Sequence, residues 1–164
     1  IKMANFDDVK KYILEAEGEK TSLLVGDYGG LSKFGISSRA FPSVDIKNLT
    51  WDEACKIYSD NFFYKYRLDL IADFVISAQV MLLFINMNPD HAARIVQLSL
   101  NDLGCNVNCD GILGSMSISE INKYPGVRER ITVNSIKYYL ALVDSDTSQL
   151  TNLRSWIRRV LLTA

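Results

Sequence analysis

The sequence predicts a mostly α-helical protein that carries one small β-hairpin. Three observations lead there: apolar residues recur at helical spacing along most of the chain, capping residues bracket those runs, and one glycine-rich stretch with β-formers interrupts them.

The first helix is predicted from about Phe6 to Glu17. Asn5 caps its start, Asp7 and Asp8 occupy its first turn, and Phe6, Val9, Ile13 and Ala16 form its apolar stripe until Gly18 ends it. Residues 20–37, with glycines at 26, 29, 30 and 35, read as the hairpin. Thr50-Trp51-Asp52-Glu53 is a capping box that should open a helix of about 12 residues. A further helix is expected from about Leu70 to Ile85, and Asn88-Pro89-Asp90 signals the start of another that ends before Gly104. A loop containing Asn106, Asn108, Asp110, Gly111 and Gly114 leads to a short helix near Ser119. Two more helices are expected, at about 126–143 and 148–162. The last carries Leu153, Trp156, Ile157, Val160 and Leu161 on one face, read as docking on the core, with Arg154, Arg158 and Arg159 on a solvated edge.

Length and composition narrow the function. At 164 residues the chain suffices for one domain with a real core, and 48% hydrophobic against 23% charged residues is the balance of a folded protein. A formal charge of −1 offers no global attraction for polyphosphate, so no nucleic-acid partner is expected. The most apolar run, Phe74 to Ile85, is too short to cross a bilayer, which takes about 20 apolar residues, and reads as a buried helix. No cationic segment followed by an apolar one opens the sequence, and its start at Ile1-Lys2 in place of Met reads as a fragment or processed form. Cys55, Cys105 and Cys109 are expected as reduced packing residues, with a Cys105–Cys109 disulfide across their short loop the alternative. With His91 the single histidine, no metal site and no cofactor is expected.

Glu17 is the residue with chemical promise. It lies four residues beyond Ile13 and eight beyond Val9, so it continues the apolar face of its helix. The helix C-terminus and partial burial both disfavour ionisation there, and a carboxyl kept protonated can donate to a leaving oxygen, as a glycosidase acid must. The competing expectation is an exposed glutamate at a frayed helix end.

From Glu17 onward, the run Glu17-Gly18 followed by Asp27-Tyr28-Gly29-Gly30-Leu31-Ser32-Lys33-Phe34-Gly35-Ile36-Ser37 resembles the opening of the N-acetylmuramidases of glycoside hydrolase family 108. In that family a helix ends in Glu-Gly-Gly-Tyr and is followed by Asp-x-Gly-Gly-x-Thr-x-x-Gly-Ile. Ser32 stands in the threonine position, and Glu19 and Lys20 depart from Gly-Tyr. The resemblance continues through Asn86, Ala93, Arg94, Gln97 and Asp110 to Ser117, which are similar to the family's peptidoglycan-associated lobe. Trp156-Ile157-Arg158-Arg159-Val160 is similar to its closing Gly-Trp-x-x-Arg-Val.

The resemblance implies a lysozyme-like (α+β) fold in a single two-lobed domain, with a catalytic part over about 1–86 and a helical peptidoglycan-associated lobe over about 87–164. It implies that Glu17 protonates the glycosidic oxygen between N-acetylmuramic acid and N-acetylglucosamine. Asp27 is then the second carboxylate and Ser32 helps hold water. By residue type, Tyr28 and Tyr64 are candidates to stack on sugar rings, with core packing the competing reading, and Gly29 and Gly30 allow close approach of the saccharide. Asp27 as a plain turn residue and Ser32 as an ordinary hairpin serine are the competing readings. The implied partner is bacterial cell-wall peptidoglycan, acted on by a monomer for which membrane contact is not required. The implied setting is a phage lysin reaching the periplasm through a holin or in the virion. A lytic transglycosylase, in which the sugar's own hydroxyl attacks, is the neighbouring alternative at the same acid, and two other classes compete. An endopeptidase would need a zinc ion or a nucleophile paired with histidine, and no motif joins His91 to a nucleophile. A non-catalytic wall-binding virion protein would bind sacculi without degrading them.

Overall fold

The computed structural model describes residues 3–18, the backbone of 22–24, and 30–164. Helix α1 (Phe6–Glu17) begins where the Asn5 side chain accepts from the Asp8 amide at 2.9 Å. It ends where Gly18, at φ +73°, returns its amide to the Leu14 carbonyl at 2.8 Å. Val9 and Ile13 are its fully buried residues.

The glycine-rich stretch forms a three-stranded antiparallel sheet in the order β1 (Ser22–Leu24), β2 (Gly30–Lys33), β3 (Ile36–Ser37). A third short strand thus extends the expected hairpin. Lys33 pairs with Ile36 across a two-residue turn in which Phe34 and Gly35 both have positive φ, 52° and 79°. Tight hairpin turns of that hand match the twist of the flanking strands. Phe34 is an unusual residue there, and its ring is held in the core beside Trp51.

The capping box forms as predicted, with the Thr50 hydroxyl and the Glu53 carboxylate serving each other's backbone amides. The helix it opens, α2 (Trp51–Tyr58), then widens into a π-helical segment at Ser59–Phe63. From Tyr58, ordinary helical spacing would turn residues 61 and 62 inward. The wider turn brings Phe63 to the core instead. A 3₁₀ turn at Leu68–Leu70 precedes α3 (Phe74–Asn86), which starts later than the periodicity predicts. Asp73 caps it, accepting from the amides of Val75 and Ile76.

Helix α3 is the centre of the protein, buried continuously from Ser77 to Phe84. It packs against α1 on one side and α4 (Pro89–Asp102) on the other. Helix α4 packs on α6 (Val127–Ser145), and α6 on α7 (Leu150–Leu161). One apolar core runs unbroken from Val9 in α1 to Ile131 in α6.

Between α4 and α5 (Ser115–Ile121), the Asp110-Gly111 loop is a turn, as expected, pinned by α4. The Asp110 carboxylate accepts from the Ile112 amide at 2.9 Å and from Gln97 Nε2 at 2.7 Å. Arg94 donates to the Cys109 carbonyl and to Asp90. His91 lies on the surface with Nδ1 2.9 Å from the Tyr138 hydroxyl, and all three cysteines are free thiols.

Helix α7 departs from the sequence reading in one respect that matters for the site. Leu161 is 57% exposed, while Thr163 is buried and Arg159 is turned inward. At about 100° per residue the buried face centres between Trp156 and Val160, which puts Leu161 outside it and draws Arg159 toward the interior.

Candidate active site

Four elements meet around Glu17. As the last residue of α1, its side chain is only 10% exposed. The β2–β3 turn covers one side: a Cβ at position 35 would fall 2.8 Å from Glu17 Cγ, so only a glycine backbone fits against the carboxyl. Helix α2 contributes Tyr58, fully buried, whose hydroxyl donates to the Phe34 carbonyl at 2.8 Å and braces that turn. From α7, Arg159 Nη2 approaches Glu17 Oε2 at 3.5 Å.

The remaining carboxyl oxygen, Oε1, is buried and makes no hydrogen bond to any of the described residues. Burial pushes the Glu17 pKa above the ordinary carboxyl value, and the Arg159 guanidinium opposes that rise without cancelling it. The position of Glu17 at the negative end of the α1 dipole acts in the same direction as burial. The arrangement can therefore hold a protonated carboxyl at a pH where a surface glutamate is ionised. An exposed glutamate at a frayed end is not what the structure contains.

Ser32 lies in β2, half-buried and in register with Ser22 and Ser37. Gly30 opens β2 at φ +68°, where a Cβ would fall 2.5 Å from Ser38 Oγ. Asp27, Tyr28 and Gly29, and Glu19 with them, lie outside the described residues. Tyr64 is 55% exposed with its ring edge on Phe63, and is not among the groups gathered around Glu17. Phe34 and Tyr66 are packing residues, Tyr66 stacking on Phe84. Among the described residues, no three His, Cys, Asp or Glu side chains converge as a metal set, and no helix is long and apolar enough to cross a membrane.

A groove of about 500 Å³ runs between the 44–49 loop and α2, but its polar walls are already engaged. Asp45 is bonded to Asn48, Glu53 to Thr50, and Lys56 to Asp60. None of the residues predicted for chemistry lines it.

Sequence reasoning missed Tyr58 and assigned Arg159 to the wrong side of its helix. For Arg159 a signal existed, since it occupies the arginine position of the closing Trp-x-x-Arg-Val pattern. For Tyr58 none did, because a tyrosine on an apolar helix face is indistinguishable from ordinary core.

A buried glutamate of raised proton affinity at a helix end, set against a small antiparallel sheet and enclosed by helices, is the arrangement of a glycosidase of the lysozyme-like kind. Residues 10–87 match the family described as Glycosyl hydrolase 108, and residues 91–161 match the family described as Predicted Peptidoglycan domain. Residues 10–87 are thus a Glycosyl hydrolase 108 region and residues 91–161 a peptidoglycan-domain region, and the chain is a peptidoglycan-degrading glycosidase. A solved structure described as that of Brucella abortus SagA shares the fold, with a TM-score of 0.68 at 18% identity over 96% of this chain and 95% of that one. No curated protein matches the sequence.

Proposed function

We propose that the enzyme cleaves the glycan strand of peptidoglycan between N-acetylmuramic acid and N-acetylglucosamine, with Glu17 as the general acid. The observation that carries this reading is the Glu17 carboxyl itself. It is buried, its proton affinity is raised, and one oxygen has no partner among the described residues and is available to a glycosidic oxygen. Asp27 serves as the second carboxylate, stabilising positive charge on the sugar or orienting water, and Ser32 helps hold that water. Tyr28, Gly29, Gly30 and Tyr64 contact the saccharide. The break between the two family matches, at residues 88–90, supports a catalytic part ending near residue 86 and a helical wall-associated lobe beyond it. The enzyme acts as a monomer. Its role as a phage lysin acting in the periplasm rests on the resemblance of its motifs to the muramidases.

Mass analysis of digested sacculi tests the bond. New reducing muramic ends are expected, and they should fall by about 10²–10⁴-fold in Glu17→Gln, the usual contribution of general acid catalysis. Anhydro-muramyl ends would replace hydrolysis by transglycosylation at the same acid. Free amino groups without new reducing ends would identify an endopeptidase and overturn the proposal, and so would binding of sacculi without any cleavage.

A further inference from the structure

Arg159 stands 142 residues beyond Glu17 in sequence and belongs to the segment matched to the peptidoglycan domain, yet its guanidinium reaches the carboxyl at the end of α1. The pair is not built as a structural ion pair would be. Such pairs are typically bidentate forks of two short parallel bonds. Here a single 3.5 Å contact joins Nη2 to Oε2, while Glu17 Oε1 and Arg159 Nε are both buried and without a partner among the described residues. Arg159 is itself held from behind, with Nη1 donating to Ser155 Oγ at 3.2 Å, and its side chain is only 24% exposed.

We infer that Arg159 is a positioning residue for the reaction, its guanidinium holding the Glu17 carboxyl against the Gly35 turn and governing its proton, so that the last helix is part of the catalytic unit. The inference rests on Glu17 being the acid. The physical logic is a balance. Burial alone would leave the carboxyl a reluctant acid, because a group that binds its proton too tightly donates poorly. A cation at bonding distance alone would leave it ionised. With both present and the contact long, the proton is held but can be transferred, which is what a general acid near its working pH requires.

Few other charges among the described residues share this space. Among the described residues, Tyr58 from α2 is the other titratable group against the Gly35 turn, with its proton committed to the Phe34 carbonyl. Helix α3, which packs on α1, carries no titratable side chain, Tyr139 of α6 is stacked on Trp156, and Lys33 lies over the Phe34 ring.

The test compares the full-length protein with Arg159→Gln and Arg159→Lys by two readouts. One is the pH profile of fragment release from purified sacculi. The other is the titration of the Glu17 carboxyl carbon by NMR, assigned with Glu17→Gln, which does not depend on catalysis. Loss of an opposite charge at this range raises a carboxyl pKa by about 1 unit or more. Arg159→Gln should therefore move both the Glu17 titration and the alkaline limb of activity up by about one pH unit, and Arg159→Lys should restore both toward wild type. A Glu17 titration unchanged in Arg159→Gln overturns the inference, whatever happens to the rate. A reduced rate with an unmoved alkaline limb in both variants also overturns it, leaving Arg159 a packing residue. A Glu17 titration that moves while Glu17→Gln still cleaves sacculi would overturn the acid assignment and this inference with it.

Discussion

A Cβ at position 35 would lie 2.7 Å from Glu17 Oε2 and 2.5 Å from Tyr58 Oη, so the bare backbone of the β2–β3 turn is what lets the carboxyl and the phenol share one side of the site. The glycine is required twice over, since its φ of +79° is also a conformation that other residues adopt at a cost.

Gly35→Ala should therefore hurt activity more than stability. The left-handed backbone costs about 1–2 kcal/mol, which for a domain of this size lowers Tm by about 2–4 °C per kcal/mol. The added methyl also pushes the Glu17 carboxyl from its place, and a displacement of about 1 Å in a reacting group can cost about 10²-fold in rate. Thermal melts beside initial rates on sacculi check this. A folded Gly35→Ala variant working at the wild-type rate would show that the Glu17 position is not critical.

Glu17→Gln should be inactive yet more stable than wild type at neutral pH. The folded state raises the Glu17 pKa, mainly through burial. A raised acid contributes its stability below the unfolded pKa of about 4.3 and loses it as pH rises through the folded value, at about 1.4 kcal/mol per unit of difference. Glutamine stays neutral throughout. The two proteins should melt together near pH 4 and diverge in favour of Glu17→Gln toward pH 8. Identical melts across that range would mean the carboxyl ionises freely in the fold.

Tyr58→Phe removes the hydroxyl that donates to the Phe34 carbonyl, leaving that buried acceptor unpaired at a cost of about 1–3 kcal/mol. Burial holds the Tyr58 pKa far above the usual phenol range, so it does not exchange its proton during catalysis. Stability and rate should fall while both limbs of the pH profile stay in place. A shifted limb in this variant would make Tyr58 a participant in proton transfer.

Asp110→Ala should act far from the chemistry. It removes the acceptor for Gln97 Nε2 and for the Ile112 amide and so loosens the loop pinned to α4, at about 1 kcal/mol or more. Gly111→Ala should be worse, because its Cβ would fall 2.0 Å from Asp90 Oδ1 at a φ of +79°. Both variants are expected to lose stability or sacculus affinity while the folded fraction keeps its turnover. A well-folded Asp110→Ala protein that binds normally but does not cleave would contradict this.

Much of this protein is determined locally and was legible in the chain. Asn5, Thr50 and Pro89 mark helix starts because capping depends only on the next three residues. Gly18 ends α1 because a positive φ there needs no distant partner. The apolar run of α3 could only be a core helix. The inward placement of Glu17 followed from its spacing to Val9 and Ile13, which share its helix. Even the start of α3 was a local signal, Asp73, that the apolar periodicity obscured.

Tertiary structure alone decided what surrounds the carboxyl. Phe34 takes a left-handed backbone because Trp51 and Tyr58 hold its ring and its carbonyl, contacts no propensity of phenylalanine encodes. Arg159 faces inward because the way α7 packs on α6 and α3 sets which side of that helix is buried, and that angle is fixed by shape, not by the hydrophobic pattern of the helix. The sequence determined that Glu17 is a carboxyl continuing the apolar face at a helix end. Only the packing of a helix more than 140 residues away put a cation 3.5 Å from it, because the proton affinity of a buried group depends on what long-range contacts bring within a few ångströms.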